Sequence, residues 1–145
     1  LFFICKLFLC CIFGKASDLP VVGLYENIVA SLTASNCVYQ DASKVHNIFR
    51  ALVVHSAFSK HEATRSVVTW LGGRQTPQGD WGRDIPFYQA MNALAHLDLT
   101  ESEDQCSNAF SRLVNTQNRN GSWGETQQEW CTFLTIHALR NKNLL

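Results

Sequence analysis

Residues 75–82, QTPQGDWG, return as residues 117–124, QNRNGSWG, 42 residues later and with no gap in the segments between. Both copies fit Gln-x-x-x-Gly-x-Trp-Gly. A fixed period between about twenty and fifty residues marks a repeat architecture and restricts the fold before any other motif is read. The flanks keep the same register. After the first copy, Phe87, Met91 and Leu94 share a helical stripe with Ala90, Ala93 and Leu97, and Asp84 and Pro86 suit the start of that helix. After the second, Thr126 and Glu129 read as a capping box, followed by a helix through Phe133, Leu134, Ile136 and Leu139. Ahead of the loops, Thr100 with Glu103 and Ser59 with Glu62 make two more capping boxes. The first precedes Cys106, Phe110, Leu113 and Val114, the second Ala63, Val67, Trp70 and Leu71. Counting back by the same period gives an earlier pair, with Leu24, Ile28, Val29 and Leu32 on one helix and Val45, Ile48, Phe49 and Leu52 on the next. Their connection TASNCVYQ (33–40) carries Tyr39 in place of tryptophan.

The expectation is an all-α chain of three helical pairs: a degenerate repeat over 18–57 and well-formed repeats over 58–98 and 99–141. A tryptophan-bearing propeller blade of similar period is excluded by the helical spacing on both sides of the loop. HEAT-like and tetratricopeptide solenoids are built from helix pairs, but neither explains a glycine–tryptophan loop between the two helices.

The loop holds neither nucleophile nor base. Gly79 and Gly121, just past a helix, suit a tight reversal, because glycine takes a left-handed conformation at little steric cost. Trp81 and Trp123 present large flat surfaces that need cover. Gln75 and Gln117 each offer an amide with two donors and an acceptor to tie helix ends together. The loop reads as a clasp.

The pattern, preceded in the first copy by Trp70 and Leu71, resembles the QW motif of squalene and oxidosqualene cyclases; the wider clan of prenyltransferase beta subunits carries related repeats. The resemblance covers residues 20–140 coarsely and 65–139 well. It implies an α/α toroid, with pre-loop helices in an outer ring and post-loop helices in an inner ring around an apolar cavity. Complete members use about six helical pairs. Three pairs make a half ring, so open apolar flanks, self-association or low stability are expected. A fragment is expected as well, since the chain opens on Leu1 and LRNKNLL follows directly from a helical pattern.

On the inner helices, a second face would line the cavity: Tyr88, Asn92 and Ala95 on one, and Trp130, Leu134 and His137 one period later. Aromatic faces there can stabilise a carbocation or hold an isoprenoid chain. The alternative for each residue is plain helix packing.

The acid expected of triterpene cyclases, in an Asp-x-Asp-Asp motif or a relative of it, does not occur in the sequence. Asp80 and Asp84 straddle the loop, and Asp80 aligns with Ser122, as a turn-favouring residue would. The aspartate, cysteine and histidine zinc set of protein prenyltransferases has no counterpart, since Cys131 and His137 point to different sides of one helix. Neither the thioester sequence of complement-type toroids, a phosphate loop nor a nucleophile elbow is present. His46, His55, His61, His96 and His137 show no paired metal spacing, and Asp98, Glu101, Glu103 and Asp104 read as a solvated loop and helix start. No metal or cofactor is expected.

Twelve basic residues balance twelve acidic ones without a basic stripe, which argues against a nucleic-acid partner. Residues 1–13, LFFICKLFLCCIF, with 14–17 behind them, read either as a truncated secretory signal or as wrongly translated upstream sequence, so 1–17 is set apart as a leader. The stretch is shorter than the roughly twenty residues of a membrane span. It alone points to secretion or membrane proximity. Cys5, Cys10 and Cys11 fall in it; Cys37, Cys106 and Cys131 remain, an odd and widely spaced set expected to be buried free thiols.

Two functions follow. The first is a fragment or short member of a terpenoid cyclase-like protein, whose full-length form binds and cyclises a polyprenoid. The second is a non-catalytic, exported toroid repeat protein that binds an apolar ligand or a protein partner.

Overall fold

A computed structural model describes residues 15–34 and 38–145. Most of the leader, with Cys5, Cys10 and Cys11, and also Cys37 of the first connection, lie outside the described residues. The expected all-α class is observed: six α-helices, one short 3-10 helix (Val38–Gln40) and no strand among the described residues. The helices are α1 (Leu19–Ala34), α2 (Ala42–Val54), α3 (Glu62–Gly72), α4 (Phe87–Leu94), α5 (Thr100–Thr116) and α6 (Gln128–Asn141). No helix among the described residues is long and apolar enough to cross a membrane. The chain divides into two compact units between Val67 and Val68.

The first unit is built around Tyr25, which is wholly buried and donates its hydroxyl to Ala51 O on α2 at 3.0 Å. Its ring stacks on Phe58 and meets His55 at a centroid distance of 4.5 Å. His55 Nδ1 accepts from Ala57 N–H, which leaves Nε2–H to donate to Ala16 O at 3.0 Å. Residue 16, assigned from the sequence to the leader, is thus held against the first unit. Asp41 caps α2 by accepting from Lys44 N–H at 2.9 Å, satisfying a donor that the first turn leaves open. The apolar residues expected on α2 fill the core: Val45, Ile48, Phe49 and Leu52 are buried.

None of the three capping boxes forms. At α3 the cap is His61, whose Nδ1 accepts from Ala63 N–H, while Ser59 Oγ donates to Ser56 O. At α5 the N-cap is Leu99, so Thr100 already lies inside the helix; Ser102 Oγ donates back to Leu99 O, and Glu103 pairs instead with Lys142. At α6 the N-cap is Gln127 in a left-handed conformation with φ 50°, and no side chain caps the turn. Each helix starts away from the residue that the local pattern selects. At α4 Pro86 stands at the start of the helix as expected, as its N-cap.

The second unit is organised by α4, only eight residues long, which packs on both α5 and α6. Its Ala90, Met91 and Leu94 are wholly buried. From α5 come Cys106, Ala109 and Leu113, and from α6 Leu134 and Ala138. Val114, expected on the apolar stripe of α5, is 80% exposed. On α6, Phe133 and Ile136 are likewise exposed although both lie in its apolar pattern.

His46 on α2 is buried with Nε2 lacking any hydrogen-bond partner. Burial, assisted by the Arg50 cation one turn along, lowers its pKa from 6.5 to about 4. The folded state therefore favours neutral imidazole, and its contribution to stability is complete above pH 6.5 and is lost as the pH falls toward 4. Unfolding free energies from urea titrations should drop by about 3 kcal/mol over that window through this residue. In His46→Leu that part of the slope should vanish, and an identical pH profile in the variant would refute the assignment.

Candidate functional site

The two glycine–tryptophan loops share three hydrogen bonds. In the first, Thr76 N–H donates to Asp80 O at 2.7 Å and Gly79 N–H to Thr76 O at 2.9 Å. In the second, Asn118 N–H donates to Ser122 O and Gly121 N–H to Asn118 O, both at 2.9 Å. Gln75 Nε2 donates to Gly79 O at 3.2 Å, and Gln117 Nε2 to Gly121 O at 2.9 Å. Gly79 and Gly121 have φ 83° and 84°, and Gly82 and Gly124 have φ 77° and 91°. All four lie in the left-handed region that only glycine enters freely. The expectation that Gly79 and Gly121 follow directly on a helix is corrected: α3 ends at Gly72 and α5 at Thr116, and these glycines close a four-residue turn further on. Asp80 acts within its turn, as expected, with Oδ1 accepting from Gly82 N–H and Thr76 Oγ1–H and Oδ2 pairing with Arg112 at 3.2 Å.

What surrounds the loops differs. Trp81 is 3% exposed and donates Nε1–H to the side-chain oxygen of Gln105 on α5 at 3.3 Å. Gln105 Nε2 donates to Val68 O on α3 and to Glu101 O, and Gln105 O accepts from Gln75 Nε2 at 2.9 Å. Asn108 Nδ2 then donates to Gln75 Oε1 at 3.1 Å. Gln75 and Trp81 thus fasten the first loop to α5, and Gln105 carries the connection on to α3. Gln105 is the residue the sequence reading passes over; its one signal is a polar side chain on the apolar stripe of α5, immediately before Cys106. Trp123 is only half-buried and donates Nε1–H to Leu113 O at 2.9 Å.

The six residues expected on the cavity wall separate into two groups, and Ala95, which is buried, falls outside the cleft with the second of them. Tyr88, Trp130 and Leu134 line a cleft of about 620 Å³ bounded by the start of α4, the end of α5, the second loop and the first turns of α6. Asn92 and His137 are outside it: Asn92 Nδ2 lies 3.0 Å from Leu134 O and 3.0 Å from His137 Nδ1, joining α4 to α6. For these two, helix packing replaces the cavity role. Phe87 adds an edge-on contact to Tyr88, and Arg112 lies 5.4 Å over the Phe87 ring. Burial is the main cause that raises the Tyr88 pKa, and burial likewise raises that of Cys131. Both are therefore neutral near pH 7. The carboxylate in the cleft lining, Glu125, is exposed. The arrangement can hold an apolar or amphiphilic molecule between aromatic faces; it has no activated nucleophile.

Cys106 is a buried free thiol with its pKa pushed up by burial to about 12, as the sequence leads one to expect, whereas Cys131 is only partly buried. His96 and His137 approach to 5.0 Å between ring centroids, a pairing hidden in the sequence by their separation. Among the described residues no group of three or more His, Cys, Asp or Glu side chains is placed to hold a metal ion.

The burial difference between the loops sets their energetic ranking. Trp81→Ala should cost about 3–5 kcal/mol of unfolding free energy, the range for deleting a buried aromatic, and Trp123→Ala about half as much. Equal losses in denaturant titrations would contradict the ranking.

No protein-family model, curated protein or solved structure matches the chain.

Proposed function

We propose that residues 58–141 are repeats of an α/α toroid of the terpenoid cyclase kind, and that the protein they belong to binds a polyprenoid in an apolar cavity and cyclises it. The reading is carried by the agreement of the two loops in hydrogen bonding and in left-handed glycine torsions. Shared letters alone would be a weak basis; shared torsions at the same two positions of each copy describe one structural unit used twice within an all-helical chain. The cleft supports the ligand class, since Phe87, Tyr88, Trp130 and Leu134 are among the residues that line it and offer apolar and aromatic surface to an isoprenoid chain. On this reading these residues supply clasp and wall, and protonation is left to an acid motif outside them. The exposure of Glu125 favours a second reading, in which the repeats bind an apolar ligand and do no chemistry.

Titration with geranylgeraniol, followed by tryptophan emission, should saturate, and Trp130→Ala should weaken binding about tenfold through lost apolar contact. A straight-chain alcohol of equal carbon number should bind less tightly. Absence of saturation, or indifference to Trp130→Ala, counts against the ligand assignment. Incubation with squalene or its epoxide should give no cyclic product from this chain; a cyclic product would overturn the clasp-and-wall role.

A further inference from the structure

The two loops are alike in themselves and unlike in what they hold. The first is filled by α5. Gln105 and Asn108 close on the Gln75 amide from both sides, and a Cβ on Gly79 would lie 2.4 Å from Asn108 O, so the α5 backbone rests directly on the glycine. Moving 42 residues along, the second loop retains all of its own groups, with Gln117, Gly121 and Trp123 in the same turn. None of the contributions made by α5 has a counterpart. Among the described residues the Gln117 side chain bonds only to Gly121 O, and no atom lies within 4 Å of a Cβ built on Gly121. The neighbouring helix shows the same loss of cover. Met91 and Leu94 on α4 are 0% exposed, whereas the residues 42 further on, Phe133 and Ile136 of α6, are 54% and 46% exposed.

We infer that the second loop and the adjoining Phe133 and Ile136 face of α6 form a docking surface for an amphipathic helix of the α5 kind, supplied from outside these 145 residues. The first loop specifies its chemistry. One residue of the incoming helix presents a backbone carbonyl to Gln117 Nε2–H. An asparagine three positions on donates its amide to Gln117 Oε1. A small residue follows, as Ala109 follows Asn108, so that the backbone can settle over Gly121. Apolar side chains on the flank cover Phe133 and Ile136. A cation at the place of Arg112 is not required, because its partner Asp80 is replaced by Ser122, whose hydroxyl is already bonded to Asn118 and Asn120. A second copy is a poor occupant. The helices of this chain with a Gln-x-x-Asn-Ala face are α4, whose Asn92 is engaged with α6, and α5, which fills its own first loop. The inference rests on the comparison of the two loops and holds whether or not the cleft takes a polyprenoid.

The probe is a labelled peptide of residues 97–116 carrying Cys106→Ser, added to the full chain and followed by fluorescence anisotropy. Saturable one-to-one binding is expected. Gln117→Ala in the protein and Asn108→Ala in the peptide should each weaken it about fivefold, the usual scale of one lost amide hydrogen bond. Gln117 is exposed, so its variant should keep the wild-type circular dichroism spectrum. Gln75→Ala should leave peptide affinity unchanged while lowering the thermal midpoint. Three results would overturn the inference: no binding; binding lost in Gln75→Ala but not in Gln117→Ala, which would mean that the peptide displaces α5 from the first loop; and dimers in sedimentation without peptide that Gln117→Ala dissolves, which would make a second copy the occupant.

Discussion

The second unit depends on one buried amide. Gln105 donates to Val68 O and Glu101 O, accepts from the Trp81 indole, and lends its backbone oxygen to Gln75. Through it α3, α5 and the first loop share a single set of hydrogen bonds. An amide in such a place stabilises little in net terms, since its partners would otherwise bond to water. Its importance is directional. A leucine of similar volume would leave the Trp81 indole N–H and the Val68 carbonyl short of a partner, and each buried orphan costs about 1–3 kcal/mol. The network is therefore selective for one arrangement of the elements it joins, whereas the apolar contacts of Met91 and Leu94 tolerate several.

His46 in the first unit is the opposite case. It too is a polar group in a packed core, but its Nε2 meets nothing, and the imidazole answers by giving up its charge. A satisfied amide fixes geometry over the whole pH range, while an unsatisfied imidazole makes the packing around it depend on acidity. The two units thus owe their order to different kinds of buried polarity.

The features legible in the sequence are those set by local periodicity. Helical spacing of apolar residues located all six helices, and the glycines with positive φ sat where the repeated motif required them. Helix starts were not legible. Ser59, Thr100 and Thr126 each head a plausible capping box, yet the chain before each helix is held by other groups: His61 at α3, Leu99 at α5 and a left-handed Gln127 at α6. The cavity wall was half legible for a related reason. A helical wheel groups Tyr88 with Asn92 and Trp130 with His137, but it does not say which turn meets a neighbouring helix. The Asn92 to His137 contact closes the far turns on one another and leaves the near turns to line the cleft. The role of Gln105 is not legible locally, because its partners lie up to 37 residues away.

The repeated glycines are held to their identity by unequal constraints. At Gly121 the torsion alone excludes most side chains, and no neighbour fills the space beside it. Asparagine, which enters the left-handed region more readily than other side-chain-bearing residues, or a D-alanine introduced by chemical synthesis, would fit there. At Gly79 the torsion is nearly the same, but Asn108 O stands where any β-carbon would go. Mutational drift can therefore proceed through asparagine at one copy of the motif and not at the other, so the pair would diverge first at the loop whose surface is open.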